Sequence, residues 1–243
     1  MLSSCKIIVL HTIKHSDNGL VVNAYSDSHG RCAYYYFAGK RVSRSNLLAP
    51  LSILNITARQ RHANTGNSGA GLPIICEASE AYGATSLKTD VRKSAIAIYM
   101  CELLTKCVRE VENNPQLFNF ITHSVMVLDN MESGVENFHL HFTASLCKAL
   151  GYMPTDNYSA AEPYFNFVNA RFVGDYLSNF CYSPIESQLL HNILSTPLER
   201  LHTIECSGRE RNLFIQKLIE YISYHSSYKM ELKSLPVLRE LFA

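Results

Sequence analysis

Residues 6–37 read KIIVLHTIKHSDNGLVVNAYSDSHGRCAYYYF, and this stretch decides the fold. Three runs rich in β-branched, apolar and aromatic residues, 6–13, 20–25 and 31–37, are separated by Asp17-Asn18-Gly19 and Ser28-His29-Gly30. Such residues pack well on a pleated surface, and Asn-Gly and Ser-x-Gly punctuate them as turns. Working outward, residues 50–59 read as a fourth strand and 72–79 as a fifth. Between them 64–71, NTGNSGAG, is all small and turn-forming and reads as a loop. Five short strands at this spacing predict a small closed barrel, and five is the strand count of an OB-fold.

The period then changes. From about residue 88 the apolar positions Ile96, Tyr99, Met100, Leu103 and Cys107 follow helical spacing. Pro115 suits the first turn of a second helix carrying Phe118, Ile121, Val125 and Leu128. A third helix is predicted over 135–150, with Gly151 where a left-handed cap is wanted. Residues 152–183 read as irregular; helices over 184–194 and 209–225 and a short one near Phe242 complete the chain. The expected architecture is α+β: a five-stranded OB-fold barrel over 1–80, then an all-helical domain over 81–243.

Hydrophobic residues make up 47% and charged residues 18% of the 243 positions, a globular composition. The net charge of +1 hides a split. Residues 1–62 hold eight basic side chains against two acidic, Asp17 and Asp27; the remainder holds fourteen against nineteen. A basic first quarter fits a segment that meets a polyanion. The early apolar run, residues 7–10, is far short of the ~20 residues that span a bilayer, so a cytoplasmic location is expected. The eight cysteines form no C-x-x-C pair, which leaves a zinc ribbon without support, and most sit in apolar runs as small core residues.

Catalytic patterns are sparse. Metal-dependent nucleases gather carboxylates around cations, whereas the basic segment offers only Asp17 and Asp27. His139 and His141 stand two apart on a predicted helix, about 200° around it, so they do not share a metal; one is expected near the core and the other outside. No G-x-x-x-x-G-K-[ST], G-x-G-x-x-G or G-x-S-x-G motif occurs. No enzymatic activity, metal or cofactor is expected.

Binding chemistry is better represented. Along 34–37 alternation puts Tyr34 and Tyr36 on one face, Tyr35 and Phe37 on the other. One pair fills the barrel and the other is available for base stacking. Directly after comes Gly39-Lys40-Arg41-Val42-Ser43-Arg44-Ser45, three cations with hydroxyls and no carboxylate. Lys40, Arg41 and Arg44, supported by Arg31 and Lys6, are the expected nucleic-acid contacts, with Tyr34 or Tyr36 as stacking partner.

With these residues in place, the chain resembles the RecO family of bacterial recombination mediators, in a form like that of Bacteroidetes. The likeness runs from Ile8-Val9-Leu10-His11-Thr12 through Asp17-Asn18-Gly19, Tyr25, Gly30-Arg31, the Gly39-Lys40-Arg41 loop and Pro50-Leu51. It continues through Leu117-Phe118, Val127-Leu128-Asp129, Asn137-Phe138-His139-Leu140 and Leu150-Gly151-Tyr152-Met153-Pro154, and closes on Arg211-Asn212-Leu213, Tyr221, His225 and residues 232–238. The resemblance implies a non-enzymatic protein that binds single- and double-stranded DNA and anneals complementary strands. It implies action with RecR, and in many bacteria RecF, to replace single-strand-binding protein (SSB) by RecA. A plain OB-fold nucleic-acid binder and a metal-dependent repair nuclease are the alternatives.

Two departures from the family pattern stand out. Many relatives carry a four-cysteine zinc module in the region matching 152–183, where this chain has only Cys181. Loop 64–71 is neutral and glycine-rich. The resemblance also implies that the helical domain holds the acidic, Phe-ended tail of SSB. Cations beside apolar faces suit such a ligand, which nominates His141, Lys148, Arg209, Arg211 and Lys217.

Overall fold

The structure is a computed structural model that describes residues 2–16, 18–37, 47–60, 71–108 and 112–243. The chain forms two compact units, Met1–Asp129 and Asn130–Ala243. The change from strand to helix falls inside the first.

In the first unit, β1 (Leu2–Ser16), β2 (Gly19–Ser26), β3 (Gly30–Phe37), β4 (Ile53–Arg59) and β5 (Ile74–Tyr82) close into a barrel in the order β1-β2-β3-β5-β4. All neighbours are antiparallel except β3 and β5, which pair in parallel at Tyr35↔Ile74 and Tyr36↔Ile75. β1 is longer than its apolar run because it serves two partners. Its start pairs with β4, Leu2↔Arg59, and its end pairs with β2, Ser16↔Gly19. Ile7, Val9, Val22, Ala24, Tyr34, Tyr36, Leu54, Ile56 and Ile75 fill the interior. β4 begins at Ile53 and not at Pro50, because Leu51 takes a left-handed backbone, φ +61°, ahead of it. That conformation costs a branched residue roughly 1–2 kcal/mol. The buried Leu51 side chain offsets the cost.

Three helices complete this unit: α1 (Thr85–Thr89), α2 (Val91–Cys107) and α3 (Pro115–Asn130). Their predicted apolar faces are the buried ones, Ile96, Tyr99, Met100 and Leu103 on α2 and Phe118, Ile121, Val125 and Leu128 on α3. Asp129 ties strand to helix: its carboxylate accepts from the Tyr82 hydroxyl and from the Leu87 N–H, each at 2.9 Å. Its carbonyl accepts from the buried Lys93 ammonium at 2.7 Å.

The second unit is built from α4 (Val135–Ala149), a small hairpin of β6 (Tyr164–Asn166) and β7 (Arg171–Val173), α5 (Pro184–Ser195), a 3-10 turn (Leu198–Thr203), α6 (Gly208–His225) and α7 (Leu235–Leu241). Gly151 takes φ +86° after α4, as a left-handed cap requires. Ser183 and Ser207 start α5 and α6 with capping boxes closed by Glu186 and Glu210. The hairpin within 152–183 is too short to register as a period in the sequence. Aromatic packing organises it: Phe165 is fully buried, with its ring 5.2 Å from both Phe172 and Tyr182 and 5.8 Å from Tyr221. No described helix is long and apolar enough to cross a membrane.

Candidate nucleic-acid interface

The outer face of β1, β2 and β3 carries the exposed aromatic residues of the barrel. Cross-strand rows are fixed by register: Ile13 pairs with Val21 and Val21 with Tyr35; Gly19 pairs with Phe37. Tyr35 packs edge-on against Phe37 at 4.8 Å and against His15 at 5.8 Å. Phe37 and Ile13 are 55% and 53% exposed, so this cluster offers apolar surface to solvent. The Tyr35 hydroxyl reaches Ser16 Oγ at 3.2 Å and lies over Gly19. A Cβ on Gly19 would stand 1.8 Å from that hydroxyl, so only glycine leaves room for the ring.

This corrects the expected stacking pair. Tyr34 and Tyr36 point into the barrel and are 4% and 6% exposed. Tyr34 meets Cys5 Sγ at 3.5 Å, and its phenol is pushed well above its ordinary range, chiefly by burial. Burial likewise pushes the Cys32 thiol up to about 11. The outward pair is Tyr35 and Phe37. Alternation along the strand identified the two pairs; which one faces inward follows from how β3 joins the closed barrel.

The expected cations divide. Lys40, Arg41 and Arg44 lie outside the described residues. Lys6 is exposed on β1, paired with Asn55 of β4, and lines a cavity of about 630 Å³ of mixed polar and apolar surface with Ser4, Asp27, Ile56, Thr57 and Glu77. Arg31 is a correction. Its guanidinium donates to the carbonyls of Thr105 and, at 2.8 Å, Val108, so it caps the end of α2 and its charge is spent inside the unit. Half-buried His11 is held below its ordinary value, first by burial and then by the Arg31 charge. It therefore adds no cation near neutral pH. Sequence reasoning did not single out Ile13 and His15. Their signal was the alternation of β1 running past the apolar run.

In the second unit, Arg209, Leu213 and Lys217 recur at i, i+4 and i+8 along α6. Arg209 is exposed, Leu213 is 52% exposed, and Lys217 is half-buried and paired with Glu220 at 3.1 Å. Arg211, on the opposite side of the same helix, is 7% exposed. Its three donor nitrogens reach Asn137 Oδ1 at 3.1 Å and the carbonyls of Phe242 and Cys206 at 2.9 Å each. It therefore does not rim a partner site: each of its three nitrogens donates to an acceptor within its own unit, two of them buried. On α4, Lys148 is exposed and His141 half-buried, with Ser145 Oγ 3.4 Å from its Nδ1. Burial lowers the His141 pKa, opposed by the Glu199 carboxylate. His139 is fully inside, stacked on Phe242 at 5.8 Å, as the pattern of one inner and one outer histidine requires. Among the described residues, no group of three or more His, Cys, Asp or Glu side chains converges.

A closed five-stranded barrel of OB type, carrying an aromatic cluster outside and followed by a helical unit, defines the class of this protein. The family model for the recombination protein O C-terminal region matches residues 88–236. The chain is 33% identical over 248 residues to DNA repair protein RecO of Bacteroides fragilis. It is 30% identical over 247 residues to that of Phocaeicola vulgatus and 29% over 246 to that of Christiangramia forsetii; each match covers 100% of both chains. The chain belongs to the RecO family, and its role is in DNA repair.

Proposed function

We propose that the protein binds single- and double-stranded DNA through its barrel, residues 1–80, and anneals complementary strands. In this reading it acts without catalysis of its own, together with RecR and RecF, to displace SSB and let RecA load. Residues 81–243 receive partners and add DNA contacts. The observation that carries the reading is the outward Tyr35–Phe37–His15 cluster on β1 and β3, whose Phe37 leads in sequence into the basic segment 39–44. Rings supply stacking to any base, and the cations of that segment, Lys40, Arg41 and Arg44, supply phosphate contacts that carry no base code. Lys6 adds charge on the barrel. In the second unit exposed Arg209 and Leu213, with half-buried Lys217 on the same row of α6 and exposed Lys148 on α4, supply the mix of cation and apolar surface that an acidic, Phe-ended SSB tail needs, and the half-buried His141 ring on α4 joins them without a charge near neutral pH.

The test is annealing of SSB-coated complementary strands by the purified chain, with and without magnesium. Annealing in both conditions is expected. Phe37→Ala should weaken single-strand binding by about fivefold to a hundredfold, the worth of one stacked base. Lys40→Glu with Arg41→Glu should weaken all sequences alike and flatten the salt dependence. Binding without relief of the SSB block would reduce the protein to a plain binder, and magnesium-dependent cleavage would make it a nuclease.

A further inference from the structure

In the second unit the loop after β7 sets Tyr176, Leu177 and Phe180 outward, at 47%, 54% and 49% exposure. Single exposed apolar residues need no explanation, but three within five residues form a patch. The loop's backbone is held. The Phe180 and Cys181 N–H groups both donate to the Leu177 carbonyl, at 2.9 and 2.8 Å, and the Phe180 carbonyl accepts from the Phe167 N–H at 3.0 Å. Tyr176 leans on Tyr164, with ring centroids 5.1 Å apart. The loop is therefore a preformed apolar knob.

A groove lies beside it. Phe167, bonded to the knob, packs edge-on against Tyr224 of α6 at 5.5 Å. Past the end of α6, Ser227 takes φ +55° and the Tyr228 N–H turns back to the Ser223 carbonyl at 3.1 Å. This return leaves a groove of about 670 Å³ along Tyr224, Tyr228 and Leu235, with Ile219, Met230 and Leu232 beneath. Tyr224 and Tyr228 are again about half exposed.

The charges nearby are balanced within the chain: Arg171 pairs with Glu162, Lys217 with Glu220 and Lys229 with Glu231, at 3.4, 3.1 and 3.2 Å. Asp175 is the one charge on residues 174–180, and its sign disfavours phosphate or an acidic peptide. Balanced flanks let two like surfaces approach without repulsion. Five large side chains at half exposure leave on the order of 500 Å² open, in the range of patches that mark interaction sites. Two copies meeting there cover about 1,000 Å² in all, the threshold for a specific if weak association.

We propose that this surface pairs two copies of the chain, the 176–180 knob of each entering the groove beside Tyr224 and Tyr228 of the other. Knob and groove adjoin through Phe167 on one face, so both contacts close around a single twofold axis; on opposite faces the same parts would build an open polymer. Such a pair carries two barrels, one for each of two complementary strands. It forms without DNA, so it stands or falls apart from the DNA reading.

Sedimentation velocity of the full chain with reductant, from about 1 to 200 µM, should show a monomer–dimer equilibrium with Kd on the order of 10 µM. Phe180→Glu and Leu177→Glu, both at exposed knob positions, should each raise Kd more than about tenfold with circular dichroism unchanged, and so should Tyr228→Glu in the groove. A mixture of Phe180→Glu with Tyr228→Glu forms a heterodimer that keeps one intact knob and one intact groove. The mixture should associate at least about threefold more tightly than either variant alone. The proposal is overturned if the chain stays monomeric throughout, if it grows past the dimer, if the two knob variants leave the dimer intact, or if the mixture gains nothing. Phe37→Ala, on the DNA face, should leave Kd unchanged, and a dimer weakened there would also overturn the proposal.

Discussion

Replacing Arg211 by methionine keeps the length of its buried stem and removes the guanidinium. Three acceptors lose their donor: Asn137 Oδ1, the Phe242 carbonyl and the Cys206 carbonyl. The last is only part-buried and recovers a water. The first two are buried, and each buried orphan costs about 1–3 kcal/mol. Asn137 is also the residue whose amide holds the carbonyls of Leu201 and Ile204, at 2.9 and 3.1 Å, so its disturbance spreads to the 3-10 turn. The expected loss is about 3–5 kcal/mol, in the range for breaking a buried charged network. For a unit of this size that corresponds to a fall in Tm of about 12–20 °C. Urea denaturation followed by circular dichroism at 222 nm measures it. Arg211→Lys should restore only a minor part, because one ammonium does not reach three acceptors set around a planar fork. A loss below about 1 kcal/mol in the methionine variant would refute the structural role and return Arg211 to the partner surface.

Three further outcomes are expected. Gly19→Ala should displace the Tyr35 ring, because the new Cβ would meet its hydroxyl at 1.8 Å; since the ring end lies on the exposed outer face and can swing aside, a cost below about 1 kcal/mol with a changed Tyr35 ring resonance checks it. His139 is held down to about 3 from 6.5 by burial first and the Arg211 charge second, so the unfolded chain binds its proton more readily. Stability is then full above pH 6.5 and falls as pH drops, by about 2 kcal/mol by pH 5; denaturation at several pH values should show this slope, and His139→Leu should lose most of it. Burial pushes the Cys101 thiol up to about 12, whereas Cys76 is exposed; alkylation mapped by mass spectrometry should label Cys76 more than about a hundredfold faster.

The local signals in this chain were strong where they repeat. Strand runs broken by Asn18-Gly19 and Gly30, and apolar residues at helical spacing on α2, α3 and α6, made both the barrel and the helices legible. Each such signal is a periodicity enforced by one buried face, and it survives without knowledge of any partner element. Elements of three to six residues left no trace, because β6, β7, α1 and the 3-10 turn contain at most two periods. Their cohesion comes from contacts far along the chain, Phe165 on Tyr221 or Leu87 on Asp129.

The site divides in the same way. Residue chemistry alone pointed to aromatics and cations on the third strand and beyond it. Alternation then left two equivalent choices, Tyr34 with Tyr36 or Tyr35 with Phe37, since a period of two has no preferred sense until a sheet closes. Closure of β3 onto β5 turned Tyr34 and Tyr36 inward. The same is true of charge. Arg31 and Arg211 look in sequence like any surface cation; the α2 C-terminus meeting one and the three acceptors gathered around the other exist only in the folded chain. A side chain's type is a local property, whereas the partner that satisfies or frees its charge is a tertiary one.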